Sequence, residues 1–168
     1  MLVASKCKKD SVEDLPPETQ TGANTFGCLV DGKVFIPKGD PFGGPVKKAQ
    51  YQFLNGKQEF GISGSLKQDD VSGSLILIGG DSITLSVNTF DLTKPNTNGR
   101  YFGAYTTISL INPDDNYFTN EINRGQLVVK KFDMVNQIVS GTFWFDAKNA
   151  NGKIVQVREG RFDMPFVR

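Results

Sequence analysis

Two cysteines, Cys7 and Cys28, and eighteen carboxylates are the side chains of this chain best equipped for chemistry, and no histidine stands beside them. Without an imidazole, a serine or cysteine nucleophile lacks its usual general base, and zinc lacks its commonest ligand. The cysteine spacing follows no zinc pattern. Paired carboxylates could still cleave a glycoside, since that mechanism asks only for two Asp or Glu residues at a fitting separation. Asp69-Asp70, Asp91, Asp114-Asp115, Glu121, Asp133, Asp146, Glu159 and Asp163 are available. Most of them fall at turns, where Asp is favoured for its own backbone hydrogen bonds. A two-carboxylate hydrolase therefore stays behind two other readings, and the chain is expected not to be an enzyme.

Metal and phosphate sites fare no better. Asp114-Asp115-Asn116 with Glu121 offers the oxygens calcium takes, but without the alternating spacing and central glycine of an EF-hand. It reads as a solvated turn, so no metal and no cofactor are expected. Gly27–Val34 (GCLVDGKV) nearly spells a phosphate-binding loop. Val34 stands where a hydroxyl would hold magnesium, and a strand–turn–strand context presents no helix N-terminus, which rules it out. Nineteen basic residues against 18 acidic give a net charge of +1 with no basic run, so nucleic acid is not an expected partner.

Trp144 remains. In the run Ile138–Ala147, Val139, Gly141, Phe143 and Phe145 share one parity, and Ser140, Thr142, Trp144 and Asp146 the other. A period of two marks a half-buried strand, which puts the indole on the wetter face. There it can stack on a sugar ring or anchor a protein partner, unless a second sheet or loop covers it. Tyr101 and Tyr105 take the polar parity of their own strand, and Tyr117 follows the next turn. Trp144, Tyr101, Tyr105 and Tyr117 are the candidate ligand-binding residues.

The elements that must position them are strands. Gly125–Phe166 carries the densest Phe, Trp and β-branched content and reads as three or four antiparallel strands. Its last strand puts Val155 and Val157 on one parity but Phe162, Met164 and Phe166 on the other, so a bulge is expected at Glu159-Gly160. Arg161 and Asp163 flank Phe162 and are expected to form a surface ion pair. Upstream, Asp31-Gly32 and Asn55-Gly56 each join two apolar runs as tight hairpin turns. Cys28 falls in the first of these runs and reads as core. Leu75–Ile78 reads as a strand buried on both sides, and Ile83, Leu85 and Val87 as a strand with one buried face. In Arg100–Ile111 the apolar set Phe102, Ala104, Ile108 and Leu110 is expected to point inward.

No segment shows helical spacing, and no apolar run approaches the length of a membrane-spanning helix. The fold class is therefore all-β: an antiparallel two-sheet sandwich or closed meander barrel of about eight to ten strands with little helix. Residues 25–168 form the single domain. Residues 1–24 are polar, carry Pro16-Pro17 and read as a disordered tether.

Two stretches, Thr25–Gly39 (TFGCLVDGKVFIPKG) and Ile138–Met164 (IVSGTFWFDAKNANGKIVQVREGRFDM), resemble a family of Bacteroidetes lipoproteins of unknown function. The likeness rests on an opening hairpin, a closing SGTF…GRFD hairpin, a polar leader and an N-terminal cysteine. It implies that Cys7 carries a lipid anchor, and that the protein sits at the outer membrane on its periplasmic or cell-surface face. No catalytic residue comes with the resemblance. The leading expectation is a non-catalytic envelope lipoprotein that binds a glycan or other extracellular ligand. The alternative is an interaction protein that docks onto another envelope protein.

Overall fold

A computed structural model describes residues 11–39, 43–54, 56–82, 84–95, 99–111 and 115–168. Cys7, Ile83 and Asp114 lie outside the described residues. Alternating apolar residues build strands, and the described residues contain eleven: β1 (Thr25–Val30), β2 (Lys33–Phe35), β3 (Lys47–Leu54), β4 (Lys57–Lys67), β5 (Ser72–Asp81), β6 (Asn88–Leu92), β7 (Tyr101–Ser109), β8 (Asp115–Phe118), β9 (Gly125–Asp133), β10 (Ile138–Lys148) and β11 (Ile154–Pro165). The one helical turn among the described residues is the 3-10 turn Val12–Asp14.

The strands join in the order β2-β1-β11-β10-β9-β6-β7-β5-β4-β3, antiparallel at every ladder except the short contact of β6 with β7. Strand β8 pairs with β7 on one side and meets β10 at Phe118–Lys148 on the other. The path β6-β7-β8-β10-β9 therefore returns to β6. These five strands close a small barrel, and the remaining strands extend the sheet outside it. Two bridges, Lys38 to Leu66 and Gln50 to Val167, tie the outer strands together.

The interior follows from parity. Val139, Phe143 and Phe145 of β10, Val155, Val157, Phe162 and Met164 of β11, and Leu127 and Val129 of β9 are all buried. Phe145 packs so closely on Gly103 that a Cβ there would sit 2.8 Å from its ring. The inward facing of both halves of β11 requires a register slip. It occurs where Phe143 pairs with Gly160 and Phe145 with Val157, so Arg158 and Glu159 together oppose Trp144. The bulge lies one residue earlier than expected, with Glu159 in the left-handed region at φ 54°. The Asp31-Gly32 turn is present, while Asn55 of the second expected turn lies outside the described residues. Asp31 and Gly32 have φ of 49° and 77°, the conformation a type I′ turn demands.

Several expectations are corrected. Leu85 is buried, but residues 84–86 are not strand, and Val87 is exposed. Here the chain crosses over to β6, and the Leu85 amide donates to the Tyr51 hydroxyl instead of a ladder. In β5, Ile76 and Ile78 are buried while Leu75 and Leu77 are only half-buried, so the strand has one inner face. Of the set expected inward on β7 and just past it, Ala104 and Ile108 are buried, but Phe102 is not and Leu110 is exposed, and the ring that faces the core is Tyr101. Tyr101 is 2% exposed and packs against Phe60 and Phe90, whereas Phe102 is half-buried on the outer face.

The expected tether is also shorter than residue 24. Leu15 is buried, and Pro16 lies over Gly27, where a Cβ would meet its ring at 2.7 Å. Residues 19–23 wrap the Asp163 carboxylate, which is 0% exposed. It accepts hydrogen bonds from Thr19 Oγ1 (2.6 Å), the amides of Thr21 (2.9 Å), Gly22 (2.8 Å) and Ala23 (3.1 Å), and Thr21 Oγ1 (3.3 Å). Asp163 is thus no surface partner of Arg161, which pairs with Glu159 instead.

Candidate functional site

Trp144 projects from the outer face of β10, opposite the buried Phe143 and Phe145, and is 42% exposed. The bulge opposite it aims Arg158 at the indole. The guanidinium lies 5.5 Å from the ring centroid. It is held there by the carbonyls of Phe145 (3.0 Å) and Val157 (2.9 Å) and by Asp146 Oδ1 (2.5 Å). A guanidinium stacked on an aromatic face is stabilised by the ring quadrupole, and four contacts fix its plane before any ligand arrives.

Around this pair the outer faces of β9, β10 and β11 form a groove of about 370 Å³. Gln126, Val128 and Lys130 of β9 make its floor beside Thr142, and Glu159 and Arg161 border the bulge. Its far wall is Glu18, on the N-terminal segment clamped by Asp163. Glu18 is drawn in by an ion pair with Lys130, and Lys131 Nζ donates to the Gln20 carbonyl at 3.0 Å. The stretch expected to be a loose tether is therefore part of the site.

The electrostatics of that wall centre on Asp163. Burial alone would raise its pKa, but hydrogen bonds from Thr19, Ala23, Thr21 and Gly22 outweigh burial and hold the carboxyl below its ordinary 3.8. The groove carboxylates Glu18 and Glu159 are each engaged by a cation, Lys130 and Arg161 respectively.

The three tyrosines do not join Trp144. Tyr101 and Tyr117 are buried, and Tyr105 is half-buried with its ring 5.8 Å from that of Tyr117. Tyr117 donates its hydroxyl to Asp115 at 2.8 Å, and burial, first, raises its pKa to about 12. Asp115 also accepts from Asn149 Nδ2, while Glu121 pairs with Arg100 and Arg124. Among the described residues considered for calcium, Asp115, Asn116 and Glu121 thus turn to different partners, Asn116 Oδ1 accepting from Thr106 Oγ1 at 2.9 Å. Cys28 is buried in the core, and desolvation pushes its thiol far above the ordinary range, which denies it nucleophilic character.

Alternation in the sequence placed Trp144 on the outer face, as the structure does, but it did not single out Arg158 or Glu18 beside it. The signal for Arg158 was present, because the parity break that demands a bulge in β11 also places its extra residues opposite Trp144. Glu18 had no such signal, since its segment is held by one buried carboxylate rather than by a periodic apolar face.

A family model described as Domain of unknown function (DUF6252) matches residues 49–164. That span runs from β3 into β11 and includes Trp144 and Arg158. The first hairpin and the strap of residues 11–24 lie before it. No curated protein and no solved structure matches the chain. Among the described residues no helix is long and apolar enough to cross a membrane.

Proposed function

The chain belongs to the family described as Domain of unknown function (DUF6252), and from that footing we propose that it is a non-catalytic, envelope-associated binding module whose Trp144 groove receives a glycan or another extracellular ligand. The observation that carries the reading is the pairing of an exposed indole with a guanidinium already fixed in place at 5.5 Å. Such a surface offers a flat apolar face and directed donors at low ordering cost, which suits the ring and hydroxyls of a sugar. Absence of histidine from the sequence and burial of the Cys28 thiol favour binding over catalysis.

The resemblance to envelope lipoproteins supports a lipid anchor at Cys7, with the domain held at the outer membrane on its periplasmic or cell-surface face. Cys7→Ala in the producing bacterium should move the protein from the membrane fraction to the soluble one. Retention of the variant in membranes would remove the anchor from the proposal.

The groove is tested by thermal shift of the wild type and Trp144→Ala against neutral and acidic plant and host oligosaccharides. A ligand at a hundredfold excess over its Kd stabilises the native state by about 2.7 kcal/mol. A shift lost in Trp144→Ala is expected, and a shift retained in the variant would displace the site from this groove. One observation favours docking onto a protein as a second reading. Phe53 is 71% exposed beside Leu54 at the free end of edge strand β3, beyond the part that Val167 covers.

A further inference from the structure

A second surface, sharing no lining residue with the Trp144 groove, has the features of a ligand site. On the outer face of β3, β4, β5 and β7 the ladder aligns Gln50, Gly61, Gly79 and Phe102 in one cross-strand row. Two adjacent glycines let the Gln50 side chain and the Phe102 ring lie low on the sheet, one over Gly61 and the other over Gly79. The result is a trough of about 290 Å³.

The two glycines have different reasons to be there. At Gly79 a Cβ would sit 3.3 Å from the Phe102 ring, so glycine lets that ring lie flat on the strand. At Gly61 the nearest atom to a Cβ is Gln50 Cγ at 3.6 Å, an ordinary contact, and its φ is not positive. Neither packing nor backbone conformation requires glycine at that position, although glycine weakens a strand interior. What its missing side chain does is let the flexible Gln50 side chain lie low over the strand, with Cγ, Nε2 and Cδ all within 4 Å of the Cβ position, so that a ligand can approach this part of the sheet closely once that side chain swings aside.

The trough is one of three hollows in a row. On one side it continues past Gly61 and Leu77 into a hollow of about 210 Å³ bordered by Lys48 and Ser63. On the other it meets, at Arg100, a cavity of about 410 Å³ beside the barrel, where Phe90 and Thr93 line the wall. The Thr93 hydroxyl is buried and has no hydrogen-bond partner among the described residues. A buried polar group left unpaired is costly, and a ligand hydroxyl in this cavity would relieve it.

The chemistry narrows the ligand. Phe102 and Leu77 offer apolar faces in line with the Gly61 floor. The Gln50 amide and Glu59 carboxylate, both without hydrogen bonds among the described residues, stand ready for hydroxyl groups. Along the row four carboxylates, Glu59, Asp81, Asp91 and Glu121, are matched by Arg100, Arg124, Lys48 and Lys57, the last paired with Asp81 at 3.2 Å, so no net positive charge is left to attract an anion. That balance disfavours phosphates and uronates. We propose that the row of hollows from Gly61 to Thr93 is a binding groove for an extended neutral oligosaccharide, with successive rings on either side of Arg100. It stands independently of the Trp144 groove.

The test follows amide signals of ¹⁵N-labelled protein, by two-dimensional NMR, on adding cellotetraose, xylotetraose or mannotetraose, with tetragalacturonate as the anionic counterpart. At least one neutral tetrasaccharide should shift Gly61, Gly79 and Arg100. Gly61→Leu, whose side chain fills the floor, should weaken that binding at least tenfold, while Trp144→Ala leaves it unchanged. Should Gly61→Leu fail to fold, Gln50→Ala and Arg100→Met, both at half-buried or exposed outer positions, must each weaken it. Tighter binding of tetragalacturonate, or no shift of these amides with any neutral sugar at millimolar concentration, overturns the proposal. Binding that Trp144→Ala removes overturns it too, while leaving the Trp144 groove intact as a site.

Discussion

Across β10 and β11 the register slips opposite Trp144, and across β1 and β11 it slips again between Gly27 and Leu29. Across β4, β5 and β7 it does not slip, and every residue from Glu59 to Lys67 keeps its partner on β5. Both regions present a concave outer surface, but they reach it by opposite means. The β9–β11 face is built up: a bulge turns Arg158 onto Trp144, and a strap of chain from outside the sheet adds a wall. The β3–β7 face is hollowed out, since a regular ladder gains depth where two adjacent positions have no side chain. The first design depends on contacts that can be broken, and the second on space that can be filled. Substitutions should therefore act with different signs in the two regions.

The largest effect is expected at the bulge. A Cβ at Gly160 would lie 2.4 Å from the Phe143 ring. That ring cannot retreat, because Phe26 packs on it at a centroid distance of 5.3 Å and Phe162 at 6.4 Å. Gly160→Val should cost about 3 kcal/mol of stability, as overpacking of a filled core does. Urea unfolding measures it. A loss below about 1 kcal/mol would mean that the bulge region yields, and the contrast with the regular face would weaken.

Next comes the clamp. Asp163→Asn removes the charge that five donors share and should cost about 2 kcal/mol at neutral pH, within the range for hydrogen bonds to an ionised group. The pKa of Asp163 is lowered in the folded state. Its stabilisation is therefore fully present above the unfolded value of about 3.9 and is lost as pH falls through the lower folded value. The gap between wild type and Asp163→Asn should be constant from pH 7 to about 5 and close below pH 4. Hydrogen exchange at Thr21, Gly22 and Ala23 should quicken in the variant. Unchanged exchange there would show that the strap is held by Leu15 and Pro16 rather than by the carboxylate.

The same two regions explain what could be read from the sequence. The closing strands were legible because their apolar residues alternate, and the parity break in β11 announced the bulge to within one residue. Strand β7 was misread because its alternation is ambiguous: Tyr101 and Phe102 are both large and aromatic, and Gly103 and Ala104 are both small. Treating tyrosine as the polar member sent Tyr101 outward, although its ring belongs between Phe60 and Phe90. The strap was illegible for a different reason. It is organised by a single buried Asp 140 or more residues away in sequence, and no local pattern encodes such a contact. The closure through β8 was hidden in the same way, since its four residues make sense only between β7 and β10.

A smaller effect is expected at Trp144 itself. Its indole is partly exposed and its main partner is a guanidinium, so Trp144→Ala should cost no more than about 1 kcal/mol, the scale of a surface cation–π contact. Stability and ligand binding should therefore separate at this residue, with binding lost and folding kept. A cost of about 3 kcal/mol would instead make the indole a structural cover for the bulge, and the groove would lose its claim as a site.

The smallest and most discriminating change is Gly61→Ala. Alanine fits without strain, since its Cβ meets nothing closer than 3.6 Å and the backbone is in the ordinary extended region. Removing glycine from a compatible position restricts the unfolded chain and should stabilise the protein by about 0.4–1 kcal/mol. The sign is opposite to that at Gly160, because a Cβ there points at the core ring of Phe143 while one at Gly61 meets only the flexible Gln50 side chain. A gain in stability, measured as a higher urea midpoint with unchanged slope, would show that glycine at 61 is held against the interest of folding. A loss would mean that Gln50 or the strand itself needs the glycine, and the hollowed face would then owe its shape to packing rather than to a ligand.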